Sequence, residues 1–123
     1  MRFLLDTNFL LIPGRFRIDV FRELEKFGKP ELFTLNLVVS ELTALSSGGG
    51  RDSANARLAL TLIEEKHIHV IVSGGSDTDS EIERIASEED FVVCTQDREL
   101  QKRLKREGIL VISLRQKGFL ERL

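Results

Sequence analysis

Short apolar runs alternate with longer helical patterns along almost the whole chain. The runs at 2–5, 31–35, 67–72, 91–94 and 109–113 are rich in Val, Ile, Leu and Phe, as expected of buried strands. The segments between them repeat apolar residues at spacings of three and four, which is typical of amphipathic helices. The alternation predicts an α/β fold: a three-layer α/β/α sandwich around a central, mostly parallel five-stranded sheet with right-handed crossovers.

The helices are predicted from apolar spacing and from the residues that begin or end them. Phe16, Val20, Leu24 and Phe27 favour a helix over 16–27. Further helices are expected over about 36–45, with Asn36 as its N-cap, and over 52–66, 79–89 and 97–107. The last ten residues carry no clear pattern.

Length and composition favour one globular domain over residues 1–123. Hydrophobic residues make up 41% of the chain and charged residues 31%, and no apolar run approaches the roughly 20 residues that span a bilayer. The single cysteine, Cys94, follows three apolar residues and is expected in the core. Because one cysteine cannot form an internal disulfide, we expect a reducing compartment, the cytoplasm.

Glu41 stands out among the acids because it lies on the edge of an apolar helix face. Val38, Leu42 and Leu45 define that face, and Glu41 is three residues after the first and four before the last. A solvent-facing Glu would normally lie opposite. The simpler interpretation is a boundary Glu paired with a surface Lys or Arg.

Three aspartates lie near strand ends. Asp6 directly follows the first apolar run, where a buried carboxylate is costly unless it is compensated. Asp97 follows the fourth run by three residues, and Asp79 begins the helix that leads into that run. Asp79 and Asp97 could each be an ordinary helix N-cap, which is a role that Asp favours.

Taken together, the four acids predict a metal site. Loops after parallel strands share one edge of the sheet, where Asp6, Glu41, Asp79 and Asp97 would meet. Four carboxylates there would repel each other unless a cation bound them or their pKa values rose. Oxygen ligands alone favour Mg²⁺ or Mn²⁺, which can activate a water for attack on phosphorus.

The motifs that carry these acids resemble the PIN domain family of metal-dependent ribonucleases. They are Leu4-Leu5-Asp6-Thr7-Asn8, Ser40-Glu41-Leu42, the segment 79–86 and Thr95-Gln96-Asp97-Arg98-Glu99-Leu100. The resemblance implies a PIN-like, Rossmann-like fold and an endoribonuclease that leaves 5′-phosphate and 3′-hydroxyl ends. It also implies that the four acids bind metal, that Asn8 and Thr95 support them, and that the protein is a homodimer.

Within the family, residues 92–100 and 110–115 look most like the branch tied to ribosomal-RNA processing, which has archaeal members of this size. The VapC-type toxin branch is the main alternative within the family, and it would imply an antitoxin protein as partner. The rRNA-processing branch often has paired acids where this chain has Thr78-Asp79-Ser80-Glu81. That departure leaves Asp77 or Glu81 as an additional or substitute ligand.

Basic residues concentrate near the C-terminus. Residues 98–123 contain eight Lys or Arg and three Glu, a net charge of +5, while residues 1–97 carry −7. We expect a phosphate path beside the acids, against the simpler interpretation of a solvated helix face. Its residues would be Arg98, Lys102, Lys105, Arg106, Arg115 and Lys117. The chain has no Trp or Tyr, and its eight Phe mostly fall in core patterns. Base stacking is therefore not expected, and RNA shape or a partner would supply specificity.

Two other classes of protein fit parts of the pattern. Receiver domains and some phosphatases also place Asp after the first strand, but such a phosphatase would have a second Asp where Asn8 stands. A receiver would need a Lys after its last strand, and Lys117 comes late. A non-catalytic RNA- or protein-binding subunit with the same fold would keep all these features.

Overall fold

The fold is taken from a computed structural model that describes residues 1–115 and 118–123. Lys117, one of the expected phosphate-binding residues, lies outside the described residues. In chain order the elements are β1 (Arg2–Leu5), α1 (Thr7–Leu10), α2 (Ile12–Phe16), α3 (Val20–Leu24), a 3₁₀ turn (Glu25–Phe27), β2 (Glu31–Leu35), α4 (Asn36–Ser46), α5 (Arg51–Glu65), β3 (His69–Ile71), α6 (Thr78–Glu88), β4 (Val92–Cys94), α7 (Arg98–Arg106), β5 (Val111–Leu114) and β6 (Leu120–Arg122).

The strands form one sheet in the order β3-β2-β1-β4-β5-β6. All neighbours are parallel except β6, which runs antiparallel to β5. This confirms the mostly parallel sheet, but the predicted count of five strands is wrong. The sixth strand has three residues, of which only Leu120 is buried. So short a strand leaves little periodicity in the sequence, and Gly118 at φ +84° helps to turn the chain back onto β5.

Helices cover both faces of the sheet. Helices α1, α2, α4 and α5 pack against one another, while α6 and α7 form a second group that contacts β4 and β5. Between the two layers, Phe3, Leu4 and Leu5 of β1 are fully buried, as is Cys94 at the end of β4. Within the described part of the chain, every helix is too short or too polar to cross a bilayer.

The predicted helix over 16–27 is correct only from residue 20 on, because residues 17–19 are not helical and separate α2 from α3. Arg17 adopts the left-handed conformation, φ 54°, and ends α2. A new helix starts after Asp19, whose carboxylate accepts a hydrogen bond from the Arg22 N–H at 3.1 Å. Phe16 matches the helical spacing by coincidence and is 59% exposed. The actual helices between β1 and β2 are short and depend on packing more than on periodicity.

Two expectations for α4 also fail. Leu45, assigned to its apolar face, is 38% exposed. Asn36 is the first helical residue and not the cap. Its side chain instead bonds the segment after β3: Nδ2 donates to the Ser73 carbonyl at 3.2 Å, and Oδ1 accepts from the Ser73 N–H at 2.8 Å. This two-point contact fixes the start of α4 against the end of β3.

Candidate functional site

The acids gather at the carboxyl edge of the sheet, where the strand order changes direction. From β1 the chain builds outward through β2 and β3, and from β4 it builds in the opposite direction through β5. Ligands of open α/β sheets bind at this kind of switch point. Asp6 and Thr95 directly follow the two central strands, β1 and β4, so both stand at its centre.

Asp6 is a buried carboxyl group, with 5% of the residue exposed. Its backbone N–H donates to the Cys94 carbonyl at 3.2 Å, which extends the β1–β4 pairing by one residue. Oδ1 accepts from the Phe9 N–H at 2.8 Å and caps α1, and Oδ2 accepts from the Thr95 hydroxyl. Burial, joined by the charges of Asp79 and Asp97, raises the pKa of Asp6 to about 7.

Thr95 connects Asp6 to Asp97. Its buried hydroxyl donates to Asp6 and accepts from the Asp97 N–H at 3.1 Å. Asp97 caps α7, which is the alternative role that its position before a helix allowed: Oδ1 accepts from the N–H groups of Glu99 and Leu100 at 2.9 and 3.2 Å. Both capping bonds use Oδ1, so Oδ2 is left to face another partner.

Asp79 is not the cap of α6. Asp77 has that role, accepting from the Ser80 N–H at 3.0 Å, and Asp79 is the second helical residue. No hydrogen bond among the described residues uses the half-buried Asp79 carboxylate. Partial burial, followed by the charges of Asp97, Asp77 and Glu41, raises its pKa, against an opposing effect of the Arg103 charge. The Asp79 carboxylate therefore takes no part in capping α6.

Glu41 is held by two threonine hydroxyls. The Thr7 hydroxyl, from α1, donates to Oε1, and the Thr78 hydroxyl, from α6, donates to Oε2 at 2.7 Å. Glu41 thereby joins elements from three parts of the chain, and its charge contributes to the raised pKa of Asp79. Sequence reasoning missed both threonines, although each is a direct neighbour of a candidate acid.

The four acids form an electrostatic cluster and not a finished ligand cage. Across residues 1–115 and 118–123, no three His, Cys, Asp or Glu side chains are arranged to hold a metal ion directly. The donor chemistry nevertheless fits a hard cation, because the cluster offers carboxylate and hydroxyl oxygens. Burial and then the Asp6 charge raise the pKa of the Cys94 thiol, which stays protonated and out of metal ligation.

The two acids considered as substitute ligands have other contacts. Asp77 is the α6 cap, and Glu81 accepts from the Ser73 hydroxyl and pairs with Arg84 at 3.0 Å. Those bonds, led by the one from Arg84, lower the pKa of Glu81 to about 2. Asn8, the expected supporting residue, is exposed, and the structure brings it near an arginine of α2, with its Oδ1 3.5 Å from Arg15.

The expected RNA-binding residues divide into two groups. Arg98 and Arg115 line one groove of about 610 Å³ beside Asp97. Lys102 is exposed and lies 3.8 Å from Glu99. Arg106 ends α7, about 12 Å along the helix axis from Arg98 at a rise of about 1.5 Å per residue. The structure therefore brings only the first two to the edge of the acidic cluster.

Arg103 is a charged neighbour of the cluster that the sequence pattern did not reveal. It pairs with Glu83 of α6 at 2.6 Å and is half-buried between the two helices. Its positive charge opposes the rise in the pKa of Asp79. It lies three residues after the buried Leu100, and this helical spacing is the sequence signal that could have placed it toward α6.

This chain is similar to known proteins in both sequence and fold. Residues 3–117 match the family described as "PIN like domain". Ribonuclease VapC9 of Archaeoglobus fulgidus is 32% identical over 107 residues, which cover 86% of this chain and 77% of the relative. A match over this length confirms the family resemblance drawn from the motifs.

Two solved structures share the fold. The PIN domain endonuclease Utp24 superposes with a TM-score of 0.79 at 23% identity, covering 99% of this chain and 92% of that chain. A domain of a functionally unknown protein from Methanocaldococcus jannaschii superposes with a TM-score of 0.64 at 22% identity, covering 93% and 91% of the two chains. The acidic cluster therefore stands on a PIN fold, and the chain belongs to the PIN like domain family.

Proposed function

We propose that this chain is a Mg²⁺- or Mn²⁺-dependent endoribonuclease that hydrolyses RNA phosphodiester bonds at the cluster of Asp6, Glu41, Asp79 and Asp97. The observation that carries the proposal is the buried Asp6 carboxyl group, whose pKa is raised to about 7 with contributions from the charges of Asp79 and Asp97. Repelling acids at a ligand-binding edge are costly unless a cation compensates them. The names of VapC9 and Utp24, a ribonuclease and an endonuclease, support the same reaction.

The four acids would bind the ion from different parts of the fold. Asp6 and Asp97 would hold the ion from the two central strands, with Thr95 fixing their relative placement through its shared hydroxyl. Glu41 and Asp79 would complete the ligands from α4 and α6, with the Glu41 carboxylate oriented by Thr78. The ion would activate the attacking water and stabilise charge on the leaving oxygen. Asn8 remains a proposed supporting residue.

Metal-dependent cleavage is the test of this function. The purified chain should cut single-stranded RNA in Mn²⁺ or Mg²⁺, leave 5′-phosphate and 3′-hydroxyl ends, and lose the activity in EDTA. Adding excess Mn²⁺ after EDTA should restore it. Labelled RNA resolved on denaturing gels, with phosphatase treatment of the products, reads out both rate and ends. Equal cleavage with and without EDTA would refute metal dependence.

The biological substrate divides the proposal into two branches. Processing of precursor ribosomal RNA is the first, and it rests on the resemblance of residues 92–100 and 110–115 to that branch of the family. The alternative is a toxin-type ribonuclease with an antitoxin partner, which the 32% identity to VapC9 favours. Expression in a bacterial host separates them: growth arrest by the wild type but not by Asp6→Asn supports the toxin. A homodimer and a cytoplasmic location belong to the proposal as well.

A non-catalytic RNA-binding subunit is the remaining alternative of the same fold. It would bind RNA and cleave none in any divalent ion. Intact acids are the observation against it, because a pure binding surface gains nothing from a buried carboxylate beside two others.

A further inference from the structure

An open groove adjoins the acidic cluster between the start of α7 and the β5–β6 hairpin. Its volume is about 610 Å³, within the usual range of small-molecule and cofactor sites. Polar and charged side chains line most of it, together with one aromatic ring: Gln96, Arg98, Gln101, Arg115, Phe119 and Glu121. None of these residues belongs to the four acids, so the groove is a separate surface beside them.

The groove and the acids share one loop. Gln96 and Arg98 are the direct chain neighbours of Asp97, and both line the groove. Gln101 Nε2 donates to the Thr95 carbonyl at 2.7 Å, which ties the groove wall to the residue that links Asp6 and Asp97. A strand lying across the acids at Asp97 would therefore continue into this groove.

The floor of the groove is rigid before any ligand arrives. Gln96 Oε1 accepts from the Ser113 hydroxyl at 2.9 Å and from the Leu114 N–H at 2.6 Å, and its Nε2 donates to the Leu114 carbonyl at 3.2 Å. Both ends of the amide are thus fixed to β5. A preformed floor lowers the entropy lost when a ligand binds.

Phe119 departs from the expectation that the phenylalanines lie in the core. It is 41% exposed and lines the groove. Its backbone is fixed, because its carbonyl accepts from the Arg115 N–H at 2.9 Å. The Lys26 ammonium lies 5.4 Å from the ring centroid, outside the lining of the groove. An exposed aromatic ring on a fixed backbone in a polar groove is a stacking surface for a planar ligand.

The charges of the groove suit an anion. Arg98 forms no ion pair with any side chain in the described part of the chain, so its guanidinium group is free to bind a phosphate in a bidentate manner. Arg115 is held by Glu121 at 2.7 Å and contributes less free charge. An aromatic ring and a free arginine in one nucleotide-sized groove match a base and its phosphate.

We propose that this groove binds one nucleotide of single-stranded RNA next to the bond that is cut, with its base stacked on Phe119 and a phosphate on Arg98. The inference rests on the proposed function, because the same strand must reach the acids. It replaces the expectation of recognition without stacking. Stacking accepts every base, so the groove would favour unpaired RNA over duplex without reading its sequence.

Binding in EDTA tests the groove separately from cleavage. Anisotropy of a fluorescent single-stranded oligoribonucleotide gives the Kd for the wild type, Phe119→Ala and Phe119→Leu. A second probe of equal length carries abasic residues. Both substitutions should weaken binding of the base-containing probe about tenfold and leave the abasic probe unchanged. Leu keeps most of the apolar volume, so a loss common to both variants is not a packing defect.

Phe16→Ala is the matched control, because Phe16 is also exposed, at 59%, and does not line the groove. It should bind both probes as the wild type does. Unchanged binding by the Phe119 variants, equal loss for both probes, or a wild type that binds no RNA would overturn the inference. Absence of metal-dependent cleavage by a wild type that still binds through Phe119 would instead refute only the proposed reaction.

Discussion

Asp6→Asn is expected to reduce RNA cleavage at least about a hundredfold while the protein stays folded. The substitution removes the one carboxylate that is both buried and next to two other acids, and with it charge that would hold a divalent ion. A loss of about 2.7 kcal/mol of transition-state stabilisation gives this factor. The Asn Oδ1 can still accept the bond from the Phe9 N–H, and its Nδ2 can donate to the Thr95 hydroxyl oxygen, so the local fold is retained. Initial rates in Mn²⁺ measure the effect.

The control for this comparison is Asp90→Asn. Asp90 is exposed and precedes β4, at the opposite edge of the sheet from Asp6. The Asp90→Asn substitution removes one acidic side chain, as Asp6→Asn does, so the two variants are matched in any general effect of net charge on RNA binding. Wild-type rates are expected for Asp90→Asn. Cleavage by Asp6→Asn at the rate of this control would remove Asp6 from the reaction.

In protein free of divalent ions, Asp6 is expected to destabilise the fold by about 4 kcal/mol above pH 7. The pKa of this carboxyl group rises from 3.8 to about 7 on folding, chiefly because it is buried. The folded state therefore favours the protonated form. The destabilisation is absent below about pH 4, grows between pH 4 and 7, and is complete above pH 7.

Urea unfolding of wild type and Asp6→Asn in EDTA isolates this effect. Other acids act oppositely, since the pKa of Glu81 is lowered to about 2, but they are common to both proteins. The wild type should lose stability relative to Asp6→Asn as the pH rises from 4 to 7. Adding Mg²⁺ at pH 8 should reduce the difference in unfolding free energy between the two proteins, because an ion that binds the folded wild type stabilises that state. A difference that does not change with pH would mean that Asp6 titrates normally.

The parallel sheet could be predicted because its signal is local. Runs such as Phe3-Leu4-Leu5 and Val92-Val93-Cys94 are apolar on both faces, as strands covered by two helical layers must be. Between Thr7 and Phe27 only the helical part over 20–27 could be predicted, because α2 contains Pro13 and stops at the left-handed Arg17, and packing decides where the short helices begin and end. The sixth strand could not be predicted for a related reason, because its pairing with β5 depends on a turn at Gly118.

The candidate site was predictable where an acid follows a strand. Asp6 and Asp97 needed only the rule that parallel strands share a carboxyl edge. Asp79 was ambiguous in sequence because Asp77, two residues away, offers the same side chain for the cap. The contacts of Glu41 with Thr7 and Thr78 join α1, α4 and α6, and spacing along the chain carries no information about such an approach. The exposure of Phe119 could not be predicted from the sequence, because the exposure of a side chain depends on tertiary structure.

The central claim is that these acids share a divalent ion, and crystals grown with Mn²⁺ test it most directly through anomalous scattering. We predict an anomalous peak about 2 Å from a carboxylate oxygen of Asp6 and from at least one of Asp79, Asp97 and Glu41, and no peak there in Asp6→Asn. A wild-type crystal saturated with Mn²⁺ that shows no peak at this edge, or shows one only elsewhere, would contradict the account.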